Sequence, residues 1–568
     1  MRSLATTFIR QFAFFGPAER LDIISAPIGC RGDRDRPHEE RLRPQNLRTL
    51  RAALRVAQEV GQGVGERQVL LEGLSGMTPA SLRYVAFDQL HDEYGVLRDA
   101  SPGVDVVVMV ESDAILRAAD WHPERLYFYR SSARHFAARL EERGFTVHFL
   151  RAASTVAGLR LIKDMYPEVP LLATEQSSFR QRERLSSIVD ETRASDFFLT
   201  PQNEFVAWAS TQRSYVMESF YRRQRVRLGA LMEGDQPIGG AWNFDKDNRL
   251  GPPKQYEWPA PLYFERDAID KDISAELNYE PSGAWATTRE GALAQLNYFL
   301  SHHFATFGPY EDAMVTSSWS LHHSLLSPYL NNGLLHPQEV LDAALERFAH
   351  GDVPIASAEG FVRQIIGWRE YVNAMYWWQG PDYQERNGLG ATTPLLPLFD
   401  DASATKMNCL SSIVSDIDQR AWVHHIPRLM VLSNLALVAG VSPQEFLAWM
   451  RRRFIDAAEW VMVPNVIGMG VHADGGAMMT KPYAAGGAYI DRMSNYCKDC
   501  PYNPKLRTGD TACPFTTLHW DFLARHEAAF STNHRMAQQM QGMRRLADLD
   551  DVRQRAVVVL DGLSRGTI

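Results

Sequence analysis

Cysteine is scarce in this chain, with five in 568 residues, odd in number and gathered toward one end. That does not suit a secreted disulfide framework and points to a reducing cytoplasm. No apolar run approaches the roughly 18 residues that span a bilayer. The longest, around Val431 to Val441, is interrupted by Ser433, Asn434 and Gly440, so a membrane role is disfavoured. Positive charge is not in excess: 60 Lys and Arg face 68 Asp and Glu, for a net charge of −8. This argues against wholesale coating of nucleic acid, although an acidic protein can still carry a local basic face. There is no internal repeat and no low-complexity tract. What is plentiful is aromatic surface: 11% of residues, with thirteen Trp, which suits large aromatic cores, flat ligands, or both.

The few cysteines are placed with purpose. Cys497 and Cys500 form a C-x2-C pair and Cys513 follows just before Pro514. A C-x2-C loop aims two thiolates at one point, and a tetrahedral site then needs a fourth ligand, for which Cys409 is the candidate. Cys30 lies in a charged, Arg-rich leader and is left out. Spacing alone does not choose between zinc and iron-sulfur, and a turn with free thiols is the bland reading. With Cys409 lying 88 residues before Cys497, the site would staple a large domain.

At 568 residues the chain has room for two to four domains. Residues 1–80 read as a flexible leader of unknown role, or as the product of a start codon chosen too far upstream. Its first residues are Arg-bearing and acid-free, as in a transit peptide, but Glu19 and Asp22 end that pattern. From Leu82 the pattern becomes strand, helix, strand. LRYVAF, VDVVVMVE (104–111) and TVHFL (146–150) are apolar runs, and SSARHFAARLEERG (131–144) has helical spacing. Residues 81–215 are therefore expected to form an α/β domain on a parallel sheet. Residues 216–265, rich in Gly, Pro and Asn, read as a linker crossing a surface. Residues 266–568 read as helix after helix, including GALAQLNYFLSHHF, HPQEVLDAALERF, AEGFVRQIIGWREYVNAMYWW, SPQEFLAWMRRRFIDAAEW and TTLHWDFLARHEAAF. The fold class is α/β plus all-α.

Two further patterns invite chemistry. HHSLLSP sets Ser324 and Ser327 three apart at a helix start, where hydroxyls and free N–H groups suit a diphosphate, or merely cap the helix. WVHHIPRLM carries His424 and His425. Neighbours on a helix point about 100° apart, so only one can face a substrate directly. The bland reading is a pair of surface or core-capping histidines.

Long strings across the chain after residue 80 resemble the iron-sulfur bacterial cryptochromes and photolyases, of the prokaryotic (6-4) photolyase type within the cryptochrome/photolyase superfamily. They are MESFYRRQR (217–225), GGAWNFDKDNR (239–249), FGPYEDAM (307–314), HHSLLSPYLNNGLL (322–335), EGFVRQIIGWREY (359–371), MNC (407–409), VPNVIGM (463–469) and DGGAMMTKPYAAGGAYIDRMSNYC (474–497). The resemblance implies FAD in the helical domain and a [4Fe-4S] cluster on Cys409, Cys497, Cys500 and Cys513. It implies flavin contacts from Tyr310, His323, Ser324, Leu326, Ser327, Trp368, Arg369 and His425, with Arg428 and Asp456 as an ion pair under the isoalloxazine. It implies a proton donor in the His424–His425 pair, His425 at the flavin edge and His424 toward the substrate. Tyr483 would be a further hydrogen-bond donor, and Lys481 would meet a phosphate. The α/β domain would hold a 6,7-dimethyl-8-ribityllumazine antenna.

The sequence also departs from the family pattern. The antenna segment reads AFDQL (86–90) where LGDQL is usual, and Ile115 stands where an acidic contact is expected. Trp449 matches the electron donor nearest the flavin, but Met450 and Asp401 stand where Tyr and Trp are expected, and neither relays an electron. Trp368, Trp378, Trp422 or Trp460 would have to substitute. Met462 falls at the flavin N5 position. A thioether accepts hydrogen bonds weakly and donates none, so a less stabilised neutral flavin radical is expected unless Asn465 takes the role. The implied activity is blue-light repair of (6-4) pyrimidine photoproducts in single- or double-stranded UV-damaged DNA, by a monomer. Arg451 to Arg453, Lys481, Lys498 and Lys505 are candidate phosphate contacts. The rival is a cryptochrome-like photoreceptor signalling through flavin redox state. A third reading is a cluster-binding nucleic-acid protein such as a primase-like helical domain, which leaves the flavin-loop resemblance unexplained.

Overall fold

A computed structural model describes residues 78–568. The leader expected over residues 1–80, with Cys30, lies outside the described residues except for its last three positions.

The continuous β-branched run after Val104 forms the middle of a five-stranded parallel sheet. Its strands are β1 Leu82–Tyr84, β2 Val106–Ser112, β3 Thr146–Ala152, β4 Leu171–Thr174 and β5 Glu191–Arg193, in the order β3-β2-β1-β4-β5. Leu82 pairs with Val106 on one side and with Leu171 on the other. Every residue of β2 is buried, as expected of a strand covered on both faces. Val107 and Met109 point to one face, with Phe128, Phe136 and Leu140 of the helix Pro123–Glu142. Val106, Val108 and Val110 point to the other, with Leu159 and Ile162 of Thr155–Met165. On that second face Gly158 rests so close to β2 that an added Cβ would lie 2.7 Å from Val110 Cγ1. β4 and β5 are too short to stand out from loop composition.

The linker expected over residues 216–265 needs one correction, because its first part is regular. Met217–Leu228 is a regular helix closed by Gly229 in the left-handed conformation. Its Arg225 is fully buried and donates to the carbonyls of Ala230, Leu231, Ala241 and Trp242. One guanidinium thus satisfies backbone carbonyls on both sides of the short antiparallel hairpin Met232–Glu233 and Gln236–Pro237.

Beyond residue 266 the described chain is helical. The stretch from Ile355 to Gln379 is continuous but passes through a π-helical segment at Arg363–Arg369; similar segments occur at Pro427–Ser433 and Pro464–Gly470. A second correction concerns the expected helix 442–460. It is Pro443–Arg453, and then Phe454 turns extended before a new helix at Glu459–Val463. One core runs from the sheet face of Val107 and Met109 through Phe299, Phe361 and Ile366 to Trp285 and Trp422. A larger one gathers Trp449, Met462, Cys409 and Cys513. The candidate site lies where these helical cores meet.

Candidate active site

Helices alone do not build this site; their interruptions do. The loop Trp319–Ser327 holds two leucines, Leu321 and Leu325, at φ +43° and +58°, and both are buried. Left-handed leucine costs about 1–2 kcal/mol each, and such strain concentrates at ligand sites. Ala421 ends the helix Asn408–Arg420 in the same conformation and aims Trp422 and the histidine pair inward. The three π-helical segments carry Trp368 and Arg369, Arg428, and Asn465, and π-bulges recur at functional sites.

Arg428 and Asp456 form the centre. The guanidinium donates to both carboxylate oxygens at 2.9 and 3.0 Å, and its Nε donates to the Val423 carbonyl. It lies 4.2 Å over Phe454 and 5.9 Å from the ring centre of Trp422. Ser327 donates its hydroxyl to Asp456 at 2.7 Å, Asn331 donates to the Asp456 carbonyl, and Trp422 Nε1 donates to Ser327 Oγ at 3.3 Å. Ser327 therefore does not cap its helix, Ser327–Asn332, and no side chain does. The Ser324 carbonyl accepts from Gln295, and Leu326 buries its side chain in the core, leaving only backbone for a ligand.

The histidines divide by accessibility. His424 is buried and stacks on His323 with ring centres 4.0 Å apart. Neither of its ring nitrogens makes a well-formed hydrogen bond among the described residues, although the Ala313 carbonyl is close. His425 is exposed to solvent, although surrounding protein and the Arg428 guanidinium press on it. Burial and then the Arg428 charge lower His425 to about 4; burial and His322 lower His323 to about 3, and burial takes His424 well down. All three imidazoles are therefore neutral at pH 7.

Other expected residues stand farther off. Arg369 is tied to Glu370, to the Phe197 carbonyl and to the faces of Phe198 and Trp460, with its Nε unpartnered among the described residues. Trp368 is half-buried near Tyr371. Tyr310 stacks on His322, whose nitrogens meet Tyr256 and Thr306, on the far side of the loop. Tyr483 makes no hydrogen bond to either catalytic candidate; it is half-buried beside Asp245, Arg249 and Asp312, and burial raises its phenol. Met462 is sunk in the apolar core, while Asn465 is partly accessible and gives its amide N–H to Val461. Trp449 is fully buried, bonded to the Phe399 carbonyl and ringed by Phe399, Phe446 and Phe454. Met450 is buried and Asp401 is an exposed cap for Ser403. Arg451, Arg452 and Arg453 are ion-paired to Glu459, Asp400 and Asp418, whereas Lys481, Lys498 and Lys505 have no carboxylate partner among the described residues. Trp285 and Trp319, which pack on Trp422, carried no sequence signal because the three are distant along the chain.

All four expected cysteines line one cavity with Tyr496 and Phe515. Cys409 comes from the first turn of Asn408–Arg420, Cys497 and Cys500 from the turn around Tyr496–Asp499, and Cys513 from the start of Pro514–Arg525. Asn408 Nδ2 donates to the Tyr496 carbonyl and ties the remote helix to the turn. A Cβ on Gly487 would lie 2.8 Å from Cys513 Sγ, so glycine leaves that sulfur its room. Burial pushes Cys409 well up, Cys497 to about 12 and Cys513 to about 11, so binding must displace protons. No three of these sulfurs lie mutually within 4.8 Å among the described residues.

A family model described as deoxyribodipyrimidine photo-lyase-related protein matches residues 83–287. A protein of Agrobacterium fabrum named (6-4) photolyase is 39% identical over 473 residues, covering 79% of this chain and 93% of that protein. The chain belongs to the iron-sulfur bacterial cryptochrome and photolyase family. A crystal structure of a bacterial class III photolyase from Agrobacterium tumefaciens superposes with a TM-score of 0.49 at 14% identity, covering 86% of this chain and 99% of that one. Within the photolyase family, the residues gathered around Arg428 and Asp456 and around the four cysteines are the two sites that need explanation.

Proposed function

We propose that this protein repairs (6-4) pyrimidine photoproducts in DNA under blue light, using FAD in the cavity beside the Arg428–Asp456 pair and carrying a [4Fe-4S] cluster on Cys409, Cys497, Cys500 and Cys513. The observation that carries the reading is His425. It is an accessible titratable group next to a buried ion pair, in a chain 39% identical to a protein named (6-4) photolyase. The residues fit a flavin: the pair offers charge, Asn465 an amide, and His323, Ser324 and Ser327 a polar loop held in a strained shape. When bound, FAD supplies the light absorption and the electron for the lesion.

The chain's own part is binding, orientation and proton control. Lysines without carboxylate partners, such as Lys481, Lys498 and Lys505, are suited to phosphate, and the three tied arginines are less so. A lesion must leave the base stack to enter, and damaged bases cost less to flip. His425 then holds the proton at a ring nitrogen. Crowding and Arg428 keep it neutral before DNA arrives, and the entering polyanion raises its affinity for a proton toward working pH. His424, shut behind His323, positions its neighbour and does not touch the lesion. This reverses the division expected from the sequence. The crevice beyond the carboxyl ends of β1 and β4, where strand order switches, suits an antenna such as the ribityl-lumazine. The proposed layout is an α/β part at 81–215, a connecting segment at 216–265 and a helical part at 266–568, working as a cytoplasmic monomer. No helix among the described residues is long and apolar enough to cross a membrane.

The photoreceptor alternative draws on one observation: among the described residues the rings in contact with Trp449 are all phenylalanines. The test is repair of a defined (6-4) lesion in an oligonucleotide by chemically reduced protein under blue light, beside His424→Ala and His425→Ala. Light-dependent repair supports the enzyme, and no repair by flavin-loaded protein leaves the photoreceptor.

A further inference from the structure

A flavin in the proposed cavity needs electrons from outside, and the expected route is poorly supplied. Trp449 is fully buried, its N–H is bonded to the Phe399 carbonyl, and its ring neighbours are three phenylalanines. A benzyl ring is far harder to oxidise than an indole, so the rings in contact with Trp449 among the described residues are poor donors to refill it.

On the opposite side of the Arg428–Phe454 stack lies a different arrangement. Trp422 contacts Trp319 and Trp285 with ring centres 5.7 and 5.9 Å away, and Trp319 and Trp285 are 5.9 Å from each other. These are contact distances for aromatic pairs. The inner member touches the residues proposed to hold the flavin: Trp422 Nε1 donates to Ser327, and Arg428 lies by its face. Trp422 and Trp285 are buried, whereas Trp319 is partly exposed. Trp285 Nε1 donates to the Arg420 carbonyl. The Trp319 indole N–H makes no hydrogen bond to protein among the described residues and is not buried, so it meets solvent. Arg420, paired with Asp416, sits 5.1 Å over the Trp319 ring. A guanidinium there disfavours a lasting cation on the indole and favours loss of its N–H proton once the ring is oxidised.

We infer that Trp422, with Trp319 as its outlet, is the route by which electrons enter this protein during photoreduction, in place of the path through Trp449. The inference rests on FAD occupying the proposed cavity. Light moves one electron from Trp422 to the oxidised flavin. Trp319 refills Trp422 with one electron and releases its indole proton to water. A small thiol in solution returns one electron and one proton to Trp319, and two such turns convert two thiols to one disulfide. Trp285 completes the packing and offers a second edge between the other two rings.

The deciding variants are Trp319→Phe, Trp319→Tyr and Trp449→Phe in the full-length protein purified with its flavin. Photoreduction is followed by flavin absorbance with dithiothreitol as donor, and the tryptophanyl radical by transient absorption. Trp319→Phe is expected to slow photoreduction at least tenfold and to remove the long-lived radical signal. Trp319→Tyr, whose phenol can also give up an electron and a proton, is expected to restore most of the rate. Repair by chemically reduced Trp319→Phe is expected to match the parent, which separates electron entry from damage to the site. Photoreduction of Trp319→Phe at the parent rate overturns the inference, as does its loss in Trp449→Phe alone. A parent protein that purifies without flavin overturns the reading of the cavity itself.

Discussion

Removing the Asp456 carboxylate is the sharpest test of the site's construction. Asp456 is 4% exposed and Arg428's side chain 14%. The carboxylate receives two guanidinium bonds and the Ser327 hydroxyl, so Asp456→Ala strands a largely buried cation and frees a hydroxyl. Truncating one partner of a buried pair costs about 3–5 kcal/mol, and Arg428→Ala should cost a similar amount. The double variant removes both charges, so its loss should fall short of the sum by up to about 3 kcal/mol. Asp456→Asn keeps the shape and one acceptor, and should lose about 1.5–3 kcal/mol, the worth of a hydrogen bond to a charged group. Urea unfolding followed by tryptophan fluorescence reads all four, and flavin retained on gel filtration reports the pocket. Singles that add within about 0.5 kcal/mol would show the two groups to be uncoupled, and the description of a linked centre would be wrong.

His425→Ala should reduce repair by chemically reduced protein by about 10²-fold or more, the scale of general acid catalysis, with His424→Ala losing less; equal losses would remove the distinction drawn from accessibility. Cys409→Ala should abolish the visible absorbance and iron content of the cluster while Cys30→Ala leaves both intact, and iron retained without Cys409 would refute the four-cysteine assignment. Stability should fall as pH drops from about 6.5 to 4. Burial holds His122, His303, His322, His336 and His519 near 4 and His323 near 3, so the unfolded chain binds these protons first. Glu311 near 8 and Asp312 near 6 act with the opposite sign, because their stabilisation is present at low pH and lost as pH rises. With His424 and His425 lowered as well, the imidazoles outnumber these two carboxyls, so unfolding at pH 5 should take up protons on balance, measurable as the slope of unfolding free energy against pH; a flat profile there would contradict the buried imidazoles. The tryptophan variants described above complete the set.

Legibility in the sequence followed the range of the interactions concerned. The β2 run announces itself because burial on both faces demands an unbroken β-branched stretch. β4 and β5 do not, because four and three residues carry no period. The helix 217–228 was hidden by its charged face, MESFYRRQR, whose Arg225 turns out to be internal. The cysteines could be grouped because C-x2-C is local and only one other cysteine follows the leader before them. Exposure was the part of the histidine pair that sequence could not decide. It depends on the left-handed turn at Ala421 and on His323 arriving from a distant loop to cover His424. The Trp285–Trp319–Trp422 triangle was likewise unreadable, since nothing local distinguishes an indole at a junction from one in a core.

The strained loop shows how such a site can persist. Leu321 and Leu325 each lose about 1–2 kcal/mol to left-handed backbone, but burying a leucine side chain returns about 1.5–3 kcal/mol. Both are nearly fully buried, Leu321 with Val315 and Ala313, Leu325 in the core that runs back to the sheet. Burial therefore outweighs strain at each position, and the loop is held by its leucines while its polar residues stay available. Between them, His322 is locked by Tyr256 and Thr306, and His323 turns inward to stack on His424. A glycine at either position would relax the backbone and remove the anchor together. The residues that shape the pocket without touching its contents are thus apolar, which is why a search for polar motifs alone passes over them.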